Sequence, residues 1–119
     1  MKTYDPNNIF AKILRGDIPC DKVYEDDHVL AFKDKFPKRA VHVLIVPKKP
    51  YTDVRSFGEQ GSDAELAAIL RAVPKVAEIM GVKQDGFRLI ANTDMHGGQE
   101  VPHLHFHLIG GEPVGPMVS

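Results

Sequence analysis

The chain has 119 residues, 43% hydrophobic and 26% charged, with 15 basic residues against 16 acidic and a formal net charge of −1. Those averages exclude a disordered or fibrous chain, and the balanced charge excludes a dedicated binder of nucleic-acid backbone. The length fits a single domain over residues 1–119, and Cys20, the one cysteine, cannot form an internal disulfide. The opening Met1 to Pro6 lacks the apolar stretch of a secretory signal, and no apolar run nears the ~18 residues of a membrane span. A cytoplasmic protein with no membrane partner is the expectation.

Asn7 or Asn8 can cap a short helix whose Ile9, Phe10, Ile13 and Leu14 fall on one side, with Gly16 ending it. The alternation in Lys22 to Glu25, the turn formers Asp26 and Asp27, and the extended Val29 to Phe32 predict a hairpin. After a loop over Phe36 to Arg39, the β-branched run Val41 to Val46 predicts an interior strand stopped by Pro47. Ser62 and Glu65 form a capping box for a long helix. Its apolar positions Leu66, Ile69, Leu70, Val73, Ala77 and Met80 recur to Gly81, with a kink expected at Pro74. Asp85-Gly86 turns into a strand over Phe87 to Ala91, a loop over Thr93 to Gln99 follows, and the last strand is expected over Val101 to Ile109. This order lacks strict βαβ alternation. It predicts an α+β fold: a mainly antiparallel five-stranded sheet with one short N-terminal helix, one long helix and an irregular tail over residues 110–119. That tail, rich in glycine and proline, is expected to lie across a partner subunit.

Three of six histidines alternate in His103-Leu104-His105-Phe106-His107. In a strand, alternate side chains share a face, so three imidazoles face one way and Leu104, Phe106 and Leu108 the other. Same-face neighbours then lie roughly 6.6 Å apart and the outer pair about 13 Å apart, at ~3.3 Å of rise per residue. Zinc holds its nitrogens about 2.0–2.1 Å from one point, so all three could converge on an ion only with strain, and no metal site is expected. A neutral imidazole is a good nucleophile toward phosphorus when a carbonyl accepts its other N–H, and flanking imidazoles supply a donor to phosphate and an acid for the leaving group. Gly97-Gly98 ahead of the strand can bring backbone N–H groups against a phosphate as an oxyanion cradle. His42, inside an apolar strand, reads as a hydrogen-bonded core histidine, and His28 and His96 read as surface residues.

The segment Gly97-Gly98-Gln99-Glu100-Val101-Pro102-His103-Leu104-His105-Phe106-His107-Leu108-Ile109-Gly110-Gly111 resembles the signature of the histidine-triad (HIT) superfamily. The following Pro113-Val114-Gly115-Pro116-Met117 is similar to the Hint branch, the bacterial-type purine nucleoside phosphoramidases. Ile9 to Ile13, Tyr24 to Asp27, Ala31 to Asp34 and His42 to Lys48 match the same branch in order. The resemblance implies a homodimer that binds a purine nucleoside monophosphate (AMP or GMP) and hydrolyses phosphoramidates and acyl-nucleotidates, without a cofactor. By the same resemblance His105 is the nucleophile that forms a nucleotidyl-histidine. His107 contacts phosphate and leaving group, and His103 with His42 forms the supporting shell. Asp34 would hold the ribose, Asn92, Gly98 and Gln99 would line the phosphate, and Ile9, Phe10, Ile13 and Phe32 would sandwich the base.

From the residues alone, Asp34 reads equally as a surface turn residue, Asn92 reads first as a turn former, and Ile9, Phe10 and Ile13 read as core. Glu100 stands where several branches carry a hydroxyl and would repel phosphate unless it meets a cationic leaving amine; Lys35 replaces an apolar residue and gives the base pocket a wetter wall. Pro102 lacks an N–H, so the strand's ladder is expected to begin at His103. The alternative functions are a dinucleoside polyphosphate hydrolase, a nucleotide-binding scaffold with incidental turnover, and a metal-binding strand protein.

Overall fold

The structure is a computed structural model that describes residues 3–118. Its elements run α1 (Ile9–Leu14), β1 (Lys22–Glu25), β2 (Val29–Lys33), β3 (Val41–Pro47), α2 (Val54–Gln60), α3 (Asp63–Ile79), β4 (Phe87–Ala91), α4 (Asp94–Gly97) and β5 (Phe106–Gly110). The five strands form one sheet in the order β1-β2-β3-β5-β4 with every neighbouring pair antiparallel, so the α+β expectation holds. Asn8 caps α1 by accepting the Ala11 N–H at 2.9 Å, and Ser62 with Glu65 opens α3, which continues through Pro74 as one helix. No helix among the described residues is long and apolar enough to cross a membrane.

The inner strands β2 and β3 bury both faces. Val29, Ala31, Val43, Ile45 and Leu108 pack with Ile69, Val73 and Val76 of α3, while Leu30, Phe32, Leu44 and Val46 pack with Phe10 of α1. The α1 side is the thinner cover, because a helix of two turns cannot span a sheet that a five-turn helix covers on the other side. His105, on that side, reaches open space.

Two helices were not expected. α2 starts at Asp53, whose carboxylate accepts the Arg55 and Ser56 N–H groups, a capping box that Gly58 and Gly61 obscure in the sequence. α4 is a single turn inside the expected loop, entered at Asp94 with φ 56° and left at Gly98 with φ 71°.

The last strand is shorter than expected, starting at Phe106 rather than His103. The register pairs Ile45 with Phe106, so the next two positions would set Pro47 opposite Leu104. Pro47 has no N–H to offer, and the ladder stops. Its carbonyl instead takes the His103 ring at 2.9 Å, and the Leu104 N–H goes to the Tyr51 carbonyl at 2.8 Å. Alternation survives without the ladder: Leu104 joins the α3 core while His103 and His105 turn to the α1 side. Gly110 belongs to β5 rather than to the irregular tail, and a Cβ there would sit 3.3 Å from the Gly86 carbonyl oxygen.

Candidate active site

Between α1 and the sheet lies a cavity of about 800 Å³. Ile9, Phe10, Ile13, Phe32 and Leu44 form its apolar part; Asp34, Asn92, Gly98 and Glu100 line its polar part, with His105 among them. The apolar residues are thus both core and wall: Phe10 and Phe32 are buried by the protein, yet each keeps one surface on the cavity. The sequence reading missed Leu44, Val101 and the Pro19 to Asp21 segment, which reach the cavity from across the fold. Lys35 and the 75%-exposed Phe36 also line it.

Hydrogen bonds fix the imidazole tautomers. A carbonyl can only accept, so His105 Nδ1 donates to the His103 carbonyl at 2.8 Å and leaves its Nε2 with a free lone pair. Phe10 packs edge-on against that ring at 4.8 Å between centroids and limits its rotation. His103 is fully buried; its Nε2 donates to the Pro47 carbonyl, so its Nδ1 accepts from the Tyr4 hydroxyl at 2.6 Å.

His42 Nδ1 accepts the Lys38 N–H at 3.1 Å, which puts its proton on Nε2. That Nε2 lies 2.9 Å from His107 Nδ1 and 3.3 Å from an Asp34 oxygen. His107 accepts at Nδ1, and its own proton sits on Nε2 as a donor. The pair meets because β3 and β5 set Leu44 opposite His107, leaving His42 as the diagonal neighbour on the same face. His105 and His107 rings are 5.0 Å apart.

Burial holds all four rings neutral at pH 7. It brings His103 and His107 down to about 4, the latter helped by its histidine neighbours. His105 and His42 are also lowered by burial, partly offset for His105 by its bond to the His103 carbonyl and for His42 by the Asp34 carboxylate. Glu100 also pulls upward on His105.

Ligand atoms of Asp34, His42 and His107 lie within 4.8 Å of one another, a different trio from the strand histidines considered above. Three donors fall short of the four that a closed zinc site takes. Moreover, His42 could ligate through Nε2 only by moving its proton to Nδ1, where the Lys38 N–H already points.

The N–H groups of the glycine loop have partners within the turn: Gly97, Gly98 and Gln99 donate to the Thr93, Met95 and Asp94 carbonyls. Gln99 lies outside the cavity. Its buried amide donates to the Thr52 and Val101 carbonyls at 2.7 and 3.0 Å and accepts the Asp94 N–H at 2.9 Å. Arg55 pins the same loop through Asp94 at 2.8 Å, which holds the Asp94 carboxyl down at about 2. His103, His42 and His107 are likewise absent from the lining but stand directly behind it, while His96 is exposed on α4.

The model of the HIT domain family matches residues 15–114. The chain is 48% identical over 118 residues to an uncharacterized 13.2 kDa HIT-like protein of Azospirillum brasilense, covering 99% of this chain and 97% of that protein. It is 46% identical over 111 residues to a purine nucleoside phosphoramidase of Escherichia coli K12, covering 93% and 92%. Among solved structures, a HIT family hydrolase of Legionella pneumophila Philadelphia 1 superposes with a TM-score of 0.84 at 40% identity over 92% of this chain and 96% of that one. Sequence, fold and the aligned imidazoles agree, and the chain belongs to the histidine-triad family.

Proposed function

We propose that this protein hydrolyses the P–N bond of purine nucleoside 5′-phosphoramidates, and related acyl-nucleotidates, through a nucleotidyl intermediate on His105. The observation that carries this reading is the His105 ring: it lines the cavity with Nδ1 tied to a carbonyl, leaving Nε2 as a neutral nucleophile. The purine nucleoside phosphoramidase of E. coli, 46% identical, supports the substrate class.

In this reading the base lies between Ile9, Phe10, Ile13 and Phe32, the Asp34 carboxylate accepts from ribose hydroxyls, and the phosphoryl group rests near Asn92 and Gly98. His105 Nε2 attacks phosphorus while His107 Nε2–H faces the phosphate and the leaving nitrogen. The leaving nitrogen takes up a solvent proton, so that a neutral amine departs as the P–N bond breaks, while His107 Nε2–H stays hydrogen-bonded to the phosphate; the water that then displaces His105 from phosphorus returns one proton to solvent. Through His107 Nδ1, the His42 N–H keeps that ring facing the reaction. His103 supports from beneath by holding the His105 ring.

We also propose a homodimer as the working form. The outer edge of β4 is unpaired within the sheet, and beside it the tail is held by Arg88 donating to the Gly115 and Pro116 carbonyls, with Met117 and Val118 exposed. A second copy offers the chemistry to pair that edge.

Acid quenching during turnover of an adenosine phosphoramidate labelled in the nucleotide, followed by peptide mapping, tests the reaction. The adduct should map to His105, and His105→Gly should bind AMP but not turn over. An adduct elsewhere, or substantial turnover by that variant, refutes it.

A further inference from the structure

Tyr4 lies outside every motif considered above, five residues before α1, yet its hydroxyl is 2.6 Å from His103 Nδ1 and its ring packs edge-on against that imidazole at 5.6 Å between centroids. We infer that Tyr4 is a positioning residue for the His105 nucleophile, acting through His103. The inference rests on the reading of His105 given above.

Both nitrogens of His103 are committed. Nε2 donates to the Pro47 carbonyl at the end of β3, so Nδ1 needs a donor, and Tyr4 supplies it. The ring is fully buried, and an unpartnered lone pair there would be costly. The backbone of the same residue offers the carbonyl that receives His105 Nδ1–H at 2.8 Å. His103 and His105 precede the β5 ladder, so the peptide that carries this carbonyl is held from its other side by a single bond, Leu104 N–H to the Tyr51 carbonyl at 2.8 Å. The His103 ring, clamped between Pro47 and Tyr4, is the second restraint on it. A loosened ring lets the carbonyl turn, and His105 can then shift its proton to Nε2 and lose the nucleophilic lone pair.

Tyr4 also ties the cavity's two walls together. It begins the segment that carries Ile9, Phe10 and Ile13, and Phe10 touches the His105 ring as well. The hydroxyl thus sets the apolar wall and the nucleophile in one register.

The test is Tyr4→Phe in the full chain, assayed on adenosine 5′-phosphoramidate well below the unfolding temperature. One neutral hydrogen bond transmitted to the nucleophile predicts a fall in kcat of about tenfold, with KM and the AMP dissociation constant within about twofold. Solvent exchange of the His105 Nδ1 proton, read by nitrogen-15 NMR, should quicken by a similar factor. Unchanged kcat with a lowered melting temperature would make Tyr4 a purely structural contact and overturn the inference. A raised KM with unchanged kcat would also overturn it, by making Tyr4 part of the nucleotide wall. If the parent protein turns over no phosphoramidate, the proposed reaction fails by itself. The proton-exchange comparison then still decides Tyr4, and equal rates in both proteins reject it.

Discussion

His42 Nε2 stands 2.9 Å from His107 Nδ1 and 3.3 Å from an Asp34 oxygen, so one N–H on β3 serves both the ring beside His105 and the carboxylate proposed for the ribose. Since the Lys38 N–H fixes the tautomer, His42 can only donate toward that pair. Removing it should disturb catalysis more than binding. His42→Ala is expected to lower kcat by about tenfold to a hundredfold, the scale of a lost positioning hydrogen-bond partner, while the AMP dissociation constant stays within about threefold. Steady-state kinetics paired with calorimetric AMP titration checks this; equal losses in both quantities would assign His42 to binding.

Stability should fall on mild acidification. His103 and His107 have folded values near 4, against 6.5 for the free side chain. A base whose folded value is depressed is protonated first in the unfolded chain, so its contribution is complete above about pH 6.5 and is lost as pH falls toward 4. For fully buried His103 the difference corresponds to roughly 3 kcal/mol as an upper bound. Urea unfolding midpoints at pH 7.5, 6 and 4.5 should decrease in order, and a flat profile above pH 4.5 would contradict burial of neutral histidines.

Gln99 distinguishes a structural amide from a phosphate ligand. Gln99→Ala leaves the Thr52 and Val101 carbonyls and the Asp94 N–H without their partner, at an expected cost of about 1–3 kcal/mol in unfolding free energy. Chemical denaturation reads that loss directly. Unaltered stability with much weaker AMP binding would return Gln99 to the phosphate.

Glu100 lines the cavity with His105 and attracts it electrostatically. A carboxylate near the reacting phosphorus favours a cationic leaving amine over a neutral or anionic one. Glu100→Gln should therefore lower kcat/KM for an aminoalkyl phosphoramidate and raise it for a carboxylate-bearing one, each by about twofold to tenfold, the contrast shrinking at high salt. Parallel changes for both substrates would remove the carboxylate from specificity.

Much of the fold follows from local pattern. The caps at Asn8 and Ser62, the hairpin around Asp26 and the run Val41 to Val46 all formed where their spacing put them. α2 and α4 were illegible for a local reason: Gly58 and Gly61 dilute the helical signal of the first, and the second is one turn held by Arg55 and Gln99 from outside it. β5 begins later than Pro102 predicts, because the residue that ends the ladder is Pro47 on the neighbouring strand.

The sequence by itself determined that three imidazoles would share one side, since alternation is a property of extended backbone and needs no partner. Tertiary structure alone decided what each imidazole does. Proton positions depend on which carbonyl or N–H a ring meets, and Pro47, Lys38 and Tyr4 come to these rings from separate parts of the chain. Those encounters leave His105 Nε2 free, turn His107 into a donor and bury His103, distinctions invisible in a motif where the three residues are the same letter.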